Sequence, residues 1–73
     1  MAKVLHLLKG AEPGLAIDVI TEQAAAGDQV TVVILEGIAP RLPTAVAVRH
    51  LGTDLTYPEL IDLIFAAEQV VTW

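Results

Sequence analysis

The sequence predicts one small α/β domain, residues 1–73, whose mostly parallel sheet of four strands is flanked by two helices in the order β-α-β-β-α-β. Val4–Leu8 and Val30–Leu35 are near-continuous apolar runs, typical of strands buried on both faces. The segment between them has helical periodicity, which indicates a βαβ unit with parallel strands and a right-handed crossover. A second helical pattern follows Thr56, and Val70–Trp73 then adds a short last strand.

The first helix is predicted over Leu15–Ala26, where apolar residues recur at helical spacing. Gly27 supplies the glycine that commonly follows a helix C-terminus. The loop before this helix contains Gly10 and Gly14, but their spacing matches neither the dinucleotide-binding nor the phosphate-binding fingerprint, and Glu12 has the wrong charge for a phosphate neighbour. This loop is therefore predicted to be a turn.

The third strand is predicted over Ala45–Leu51, and its orientation is left open by the sequence. The link Glu36–Thr44 is shorter than the dozen or more residues that a parallel crossover usually needs. Either the third strand is parallel and reached by a stretched, helix-free crossover, or the second and third strands are antiparallel.

The second helix has a clear start signal in the sequence. Thr56 reads as the N-cap, Pro58 lies in the first turn and Glu59 occupies the third helical position, which together form a capping box.

The composition predicts an oligomer. Apolar residues make up 55% of the chain and there is no cysteine, so no disulfide can supplement the core. A domain this short buries only about 60% of the surface that its unfolded chain exposes. Surplus apolar surface on a small protein usually lies in an interface, so we expect a homo- or hetero-oligomer.

The charge excludes several classes of partner. The net charge is −5 and the four cations, Lys3, Lys9, Arg41 and Arg49, are scattered, so there is no basic face for nucleic acid or for an anionic membrane. No apolar run approaches the roughly 18–20 residues that span a bilayer. No signal peptide is recognised, and we expect a cytoplasmic protein. No paired-ligand spacing suggests a metal, and no cofactor is expected.

A polar cleft is predicted at the carboxyl edge of the sheet, where open α/β sheets bind ligands. The residues placed there are Lys9, Glu36, Arg41 and His50. The alternative is an ordinary solvated sheet edge, because loop ends are polar in most folds. A weaker hypothesis is an enzyme that acts through His50, although no recognisable catalytic set accompanies it.

Two aromatic side chains at the chain's ends are also singled out. His6, in the middle of the first strand, is predicted to be a buried histidine satisfied by a hydrogen bond rather than an acid or base. Trp73 either packs over a strand edge or anchors an interface.

Four short segments carry a resemblance to a known family. They are the opening VLHLL strand, a helix ending at Gly27-Asp28, the second strand closing with Leu35-Glu36-Gly37-Ile38, and a C-terminal part with Thr56-Tyr57, Glu59-Leu60, Leu63, Val70 and Trp73. Together they resemble the DsrH/TusB branch of the DsrE-like sulfur-relay family, and the fold implied is a truncated DsrE/flavodoxin-like one. The chain departs from that family in a missing middle helix and in having no cysteine.

The resemblance implies a role around sulfur transfer, in tRNA thiolation or in sulfur oxidation. The first hypothesis is a non-catalytic subunit that assembles with cysteine-bearing DsrE-like or DsrF-like chains through Leu63, Phe65 and Trp73. The alternative is a homo-oligomeric small-molecule or anion-binding module that uses the strand-end cleft. The first predicts assembly that Phe65→Asp destroys, and the second predicts stabilisation by a ligand that His50→Ala or Lys9→Ala removes.

Overall fold

A computed structural model describes residues 2–9 and 14–73. Its elements are β1 Lys3–Lys9, α1 Gly14–Ala25, β2 Gln29–Glu36, β3 Ala47–His50, α2 Tyr57–Ala66 and β4 Gln69–Thr72. The strands form one all-parallel sheet in the order β3-β2-β1-β4, which confirms the predicted α/β fold. The turn predicted at residues 10–13 lies outside the described residues.

The link between β2 and β3 is a stretched loop without a helix. Register pairs such as Thr31 with Ala47 are parallel, which settles the orientation that the sequence left open. Ala39 and Leu42 from this loop pack against the core where a crossover helix would otherwise lie. A turn in which the Val46 amide donates to the Pro43 carbonyl delays the start of β3, so the strand is shorter than predicted.

The strand order places the two helices on opposite faces of the sheet. The chain moves in one direction from β1 to β3 and then returns across the sheet to β4, so crossovers of one hand put α1 and α2 on opposite sides. The order matches the first four strands of the doubly wound α/β sheet. Strands are added toward one edge of the sheet from β1 to β3, and β4 is then added on the other side of β1.

Each face of the sheet has its own apolar cluster, because side chains alternate along a strand. The cluster under α1 contains Leu8, Ala16, Ile20, Val30, Val32, Ile34 and Val46. The cluster under α2 contains Leu5, Val33, Leu55 and Leu60. The central strands β1 and β2 are therefore buried on both sides, as their continuous apolar runs predict.

Both predicted helix-end signals are present. After α1, the Gly27 amide donates to the Ala24 carbonyl and the Asp28 amide to the Gln23 carbonyl, a Schellman pair that needs the positive φ of Gly27, 92°. Before α2, the Thr56 hydroxyl accepts from the Glu59 amide, and Glu59 Oε1 accepts from the Thr56 amide at 2.9 Å. This is the capping box.

Loss of the cap should destabilise the fold measurably. We expect Thr56→Ala to lower the free energy of unfolding by about 1 kcal/mol, because the Glu59 amide loses its acceptor. Urea denaturation followed by circular dichroism measures this change. Thr44→Ala, at an exposed loop position, is the matched control and should leave the midpoint unchanged. Equal midpoints for both variants would contradict the assigned role of the cap.

The same cap should make the stability depend on acid pH. The backbone N–H of Thr56, and then its hydroxyl, lower the pKa of Glu59 below its usual 4.5. A carboxylate whose pKa is lower when folded stabilises the protein above the unfolded pKa and loses that contribution as the pH falls through the folded pKa. We expect Glu59→Gln to reduce the slope of stability against pH below about 4.5. Identical slopes for this variant and the wild type would contradict the assignment.

Candidate functional site

Three of the four polar residues predicted at the strand ends lie at the same edge of the sheet. Lys9, Glu36 and His50 end β1, β2 and β3, which run in the same direction. Lys9 and Glu36 are register partners, brought opposite each other by an irregularity between Leu8 and Lys9. Both are exposed, so the edge presents a cation and a carboxylate side by side.

Arg41 does not end a strand. It is exposed in the loop 37–46, which runs from the carboxyl end of β2 to the amino end of β3. In the described part of the chain, Arg41 makes no ion pair or side-chain hydrogen bond.

His50 is held by Asp54, a residue that the sequence analysis missed. The carboxylate Oδ2 of Asp54 accepts from the His50 amide at 3.0 Å and lies 3.3 Å from His50 Nδ1. The backbone N–H of His50 is the main cause of a lowered Asp54 pKa, and the imidazole hydrogen bond adds to it. The sequence signal for this pair is that Asp54 follows His50 by four residues, with the Gly52-Thr53 turn between them.

A measurement of the Asp54 pKa should separate the effect of the His50 backbone N–H from that of the His50 imidazole. We expect a value below 3.8 in the wild type, and only a partial rise toward 3.8 in His50→Ala, because that variant keeps the backbone N–H. Carboxyl chemical shifts followed by NMR through an acid titration measure both values. A wild-type value of 3.8, or a complete return to it in the variant, would contradict this order of causes.

The described residues of this edge present charged side chains of both signs. Glu36 and Asp54 put two carboxylates beside Lys9 and His50, which opposes the binding of an anion. A cleft of about 90 Å³ lies at the amino ends of β1 and β2, where Lys3, Thr31 and Leu63 are among its lining residues. Residues 2–9 and 14–73 contain no group of three or more His, Asp or Glu side chains that could hold a metal ion. Ligand binding at the strand ends stays a prediction.

His6 is fully buried and both of its ring nitrogens are hydrogen-bonded. The indole Nε1–H of Trp73 donates to His6 Nδ1 at 2.9 Å. Because Nδ1 accepts this hydrogen bond, it carries no proton, and the ring N–H is on Nε2. Nε2 then donates to Gln23 Oε1 at 2.6 Å. The two rings are nearly parallel, with an angle of 16° between their planes. This geometry confirms the predicted hydrogen-bonded histidine, and it shows Trp73 packed over the sheet against the cluster under α1.

An apolar surface remains uncovered on α2. Its side chains are Tyr57, Ile61, Ile64 and Phe65, which we call the α2 stripe. Tyr57, Ile61 and Phe65 are four residues apart and so lie in line on one side of the helix. Phe65 is 83% exposed and Tyr57 71% exposed.

The three residues predicted at an interface have different positions. Leu63 is partly buried and packs against the cluster under α2, and Trp73 is partly buried against the other cluster. Phe65 is the member of that set that lies open to solvent. The sequence indicated a broad apolar face on this helix, and the sheet covers only part of it.

Comparisons with known proteins give no relative for this chain. No family model, no curated protein and no solved structure matches it. No helix in the described residues is long and apolar enough to cross a membrane.

Proposed function

We propose that this protein is a non-catalytic subunit that acts by docking onto another protein, within a sulfur-relay complex of the kind that the DsrH/TusB resemblance implies. The observation that carries the proposal is the α2 stripe. It consists of four large apolar side chains on the outer side of a helix whose inner side already packs on the sheet.

Burial of the stripe against a partner would be energetically important for a chain of this size. Moving a large apolar side chain out of water is worth about 1.5–3 kcal/mol. The total stability of a domain of this length is only about 4–11 kcal/mol, at 0.05–0.15 kcal/mol per residue. Covering Tyr57, Ile61 and Phe65 therefore contributes an amount comparable with the stability of the whole fold.

The chain's own chemistry supports an accessory role rather than that of the sulfur carrier. In a persulfide relay the nucleophile and carrier is a cysteine thiolate. This sequence contains no cysteine, so the carrier must be on another subunit. What remains for this chain is to assemble, shape or dock the subunits that hold it.

Sedimentation velocity with the purified chain and the cysteine-bearing DsrE-like and DsrF-like subunits of the same genome tests the proposal. We expect one complex of defined stoichiometry that contains this chain. If the chain sediments alone at every ratio of the components, the proposed function is wrong.

A further inference from the structure

We infer that the surface which docks on the α2 stripe is an apolar groove rimmed by lysine or arginine side chains on a different protein. The inference rests on the proposed function in one respect, that a protein docks at α2. It adds the chemistry of that protein and excludes a second copy of this chain.

The segment that carries the stripe has charges of one sign. The cation that reaches α2 is Lys3 of β1, which lines a cleft with Leu63, Ala66 and Ala67, helix positions other than those of the stripe. Residues 51–73 contain four carboxylates and no lysine or arginine, whereas residues 1–50 contain five carboxylates and four cations. Nearly all of the net charge of −5 is therefore in the part of the chain that carries α2 and β4. A partner surface of complementary charge must be basic.

The nearest carboxylate flanks the stripe directly. Asp62 is exposed, follows Ile61 and precedes Phe65 by three residues, a spacing that makes helical side chains neighbours. Glu59 is exposed at the start of the helix and Glu68 just after its end. Asp62 is therefore the carboxylate beside the apolar line, because Glu59 lies about 160° round the helix from Ile61 and its carboxylate is hydrogen-bonded to Thr56.

A second copy fits this surface poorly. In a two-fold antiparallel pair of α2 helices centred on Ile61, Tyr57 of one copy would meet Phe65 of the other. The same symmetry would place the two Asp62 side chains on the same rim of the contact, one on each helix, with no cation on either helix to neutralise them. Like charges placed opposite each other across an interface are unfavourable, so the apolar match is opposed by the charges.

A pair of peptide probes tests this chemistry without any sulfur-relay subunit. The full ¹⁵N-labelled chain is titrated with an amphipathic peptide of about 18 residues, long enough to form a helix, whose leucine face is flanked by lysines. The matched probe has glutamate at every lysine position. We expect the amide shifts of Tyr57, Ile61 and Phe65 to move with the lysine peptide, and about tenfold weaker binding or none with the glutamate peptide.

Four variants locate the binding. Asp62→Lys and Phe65→Asp should each weaken binding of the lysine peptide by about tenfold or more. Leu15→Asp and Asp18→Lys introduce the same changes at exposed positions of α1, on the other face of the sheet, and should not weaken it by that amount. The lysine peptide should also bind more weakly as salt is raised above about 0.15 M, because rim charges are screened.

The outcomes separate this inference from the proposed function. Equal binding of the two peptides, shifts outside α2, or a homodimer through the stripe in the absence of peptide would overturn the basic-groove inference. None of these results bears on whether sulfur-relay subunits bind, which the sedimentation experiment measures. A chain that binds the lysine peptide on α2 but ignores those subunits supports the inference and removes the proposed complex.

Discussion

Phe65→Asp is expected to abolish assembly of this chain with its partner while leaving its own fold intact. The phenyl ring is 83% exposed in the isolated chain, so the substitution removes little from the core. In a complex it would replace an aromatic anchor with an unpaired buried charge. Aromatic anchors at the centre of an interface contribute 2 kcal/mol or more, and a buried unpaired charge adds about 3–5 kcal/mol of cost. We expect a loss of affinity of at least about 100-fold, measured by isothermal titration calorimetry.

Leu15→Asp is the matched control for this prediction. Leu15 is also a large exposed side chain, at 68%, but it lies on α1 on the opposite face of the sheet. It should leave the affinity unchanged, and both variants should unfold at the wild-type urea concentration. If Leu15→Asp disrupts the complex and Phe65→Asp does not, the docking face is not on α2.

His6→Leu is expected to destabilise the protein strongly. The leucine would leave Gln23 Oε1 and the Trp73 indole N–H without their partner at a part-buried site. A fully buried unsatisfied group costs about 1–3 kcal/mol, so for these two part-buried groups we expect a total of about 2 kcal/mol. The whole fold has about 4–11 kcal/mol of stability. Urea denaturation followed by far-ultraviolet circular dichroism gives the change without depending on the tryptophan signal.

A triple variant shows whether the hydrogen bonds are the cause. His6→Leu combined with Gln23→Leu and Trp73→Phe removes all the polar atoms of the network, and replacing every partner by apolar groups is far less costly than orphaning them. We expect this triple variant to be more stable than His6→Leu alone. A triple variant that is less stable would mean that packing volume, rather than the hydrogen bonds, explains the loss.

The parts of the fold that the sequence predicted well are those with local signals. The capping box at Thr56 and the glycine at position 27 depend on residues within a few positions of each other, and both are present. The orientation of β3 has no such signal. It depends on Ala39 and Leu42 packing over the core in place of a helix, which the length of the loop alone does not reveal.

The candidate sites also differ in how far the sequence alone could predict them. Lys9, Glu36 and His50 could be placed at one edge because parallel strands end on the same side. The partners of His6 lie 17 and 67 residues away along the chain, so only the tertiary structure brings them together. Periodicity showed that α2 is apolar over a wide arc of its circumference. Which part of that arc the sheet covers depends on the rotation of the helix about its own axis. Leu63 is consequently packed and Phe65 is exposed.

Native mass spectrometry of the tagged protein, purified gently from its own cells, tests the central claim most directly. The account predicts a complex in which this chain is bound to cysteine-bearing DsrE-like or DsrF-like subunits. Recovery of the chain only as a monomer, or only as a homo-oligomer, would contradict it.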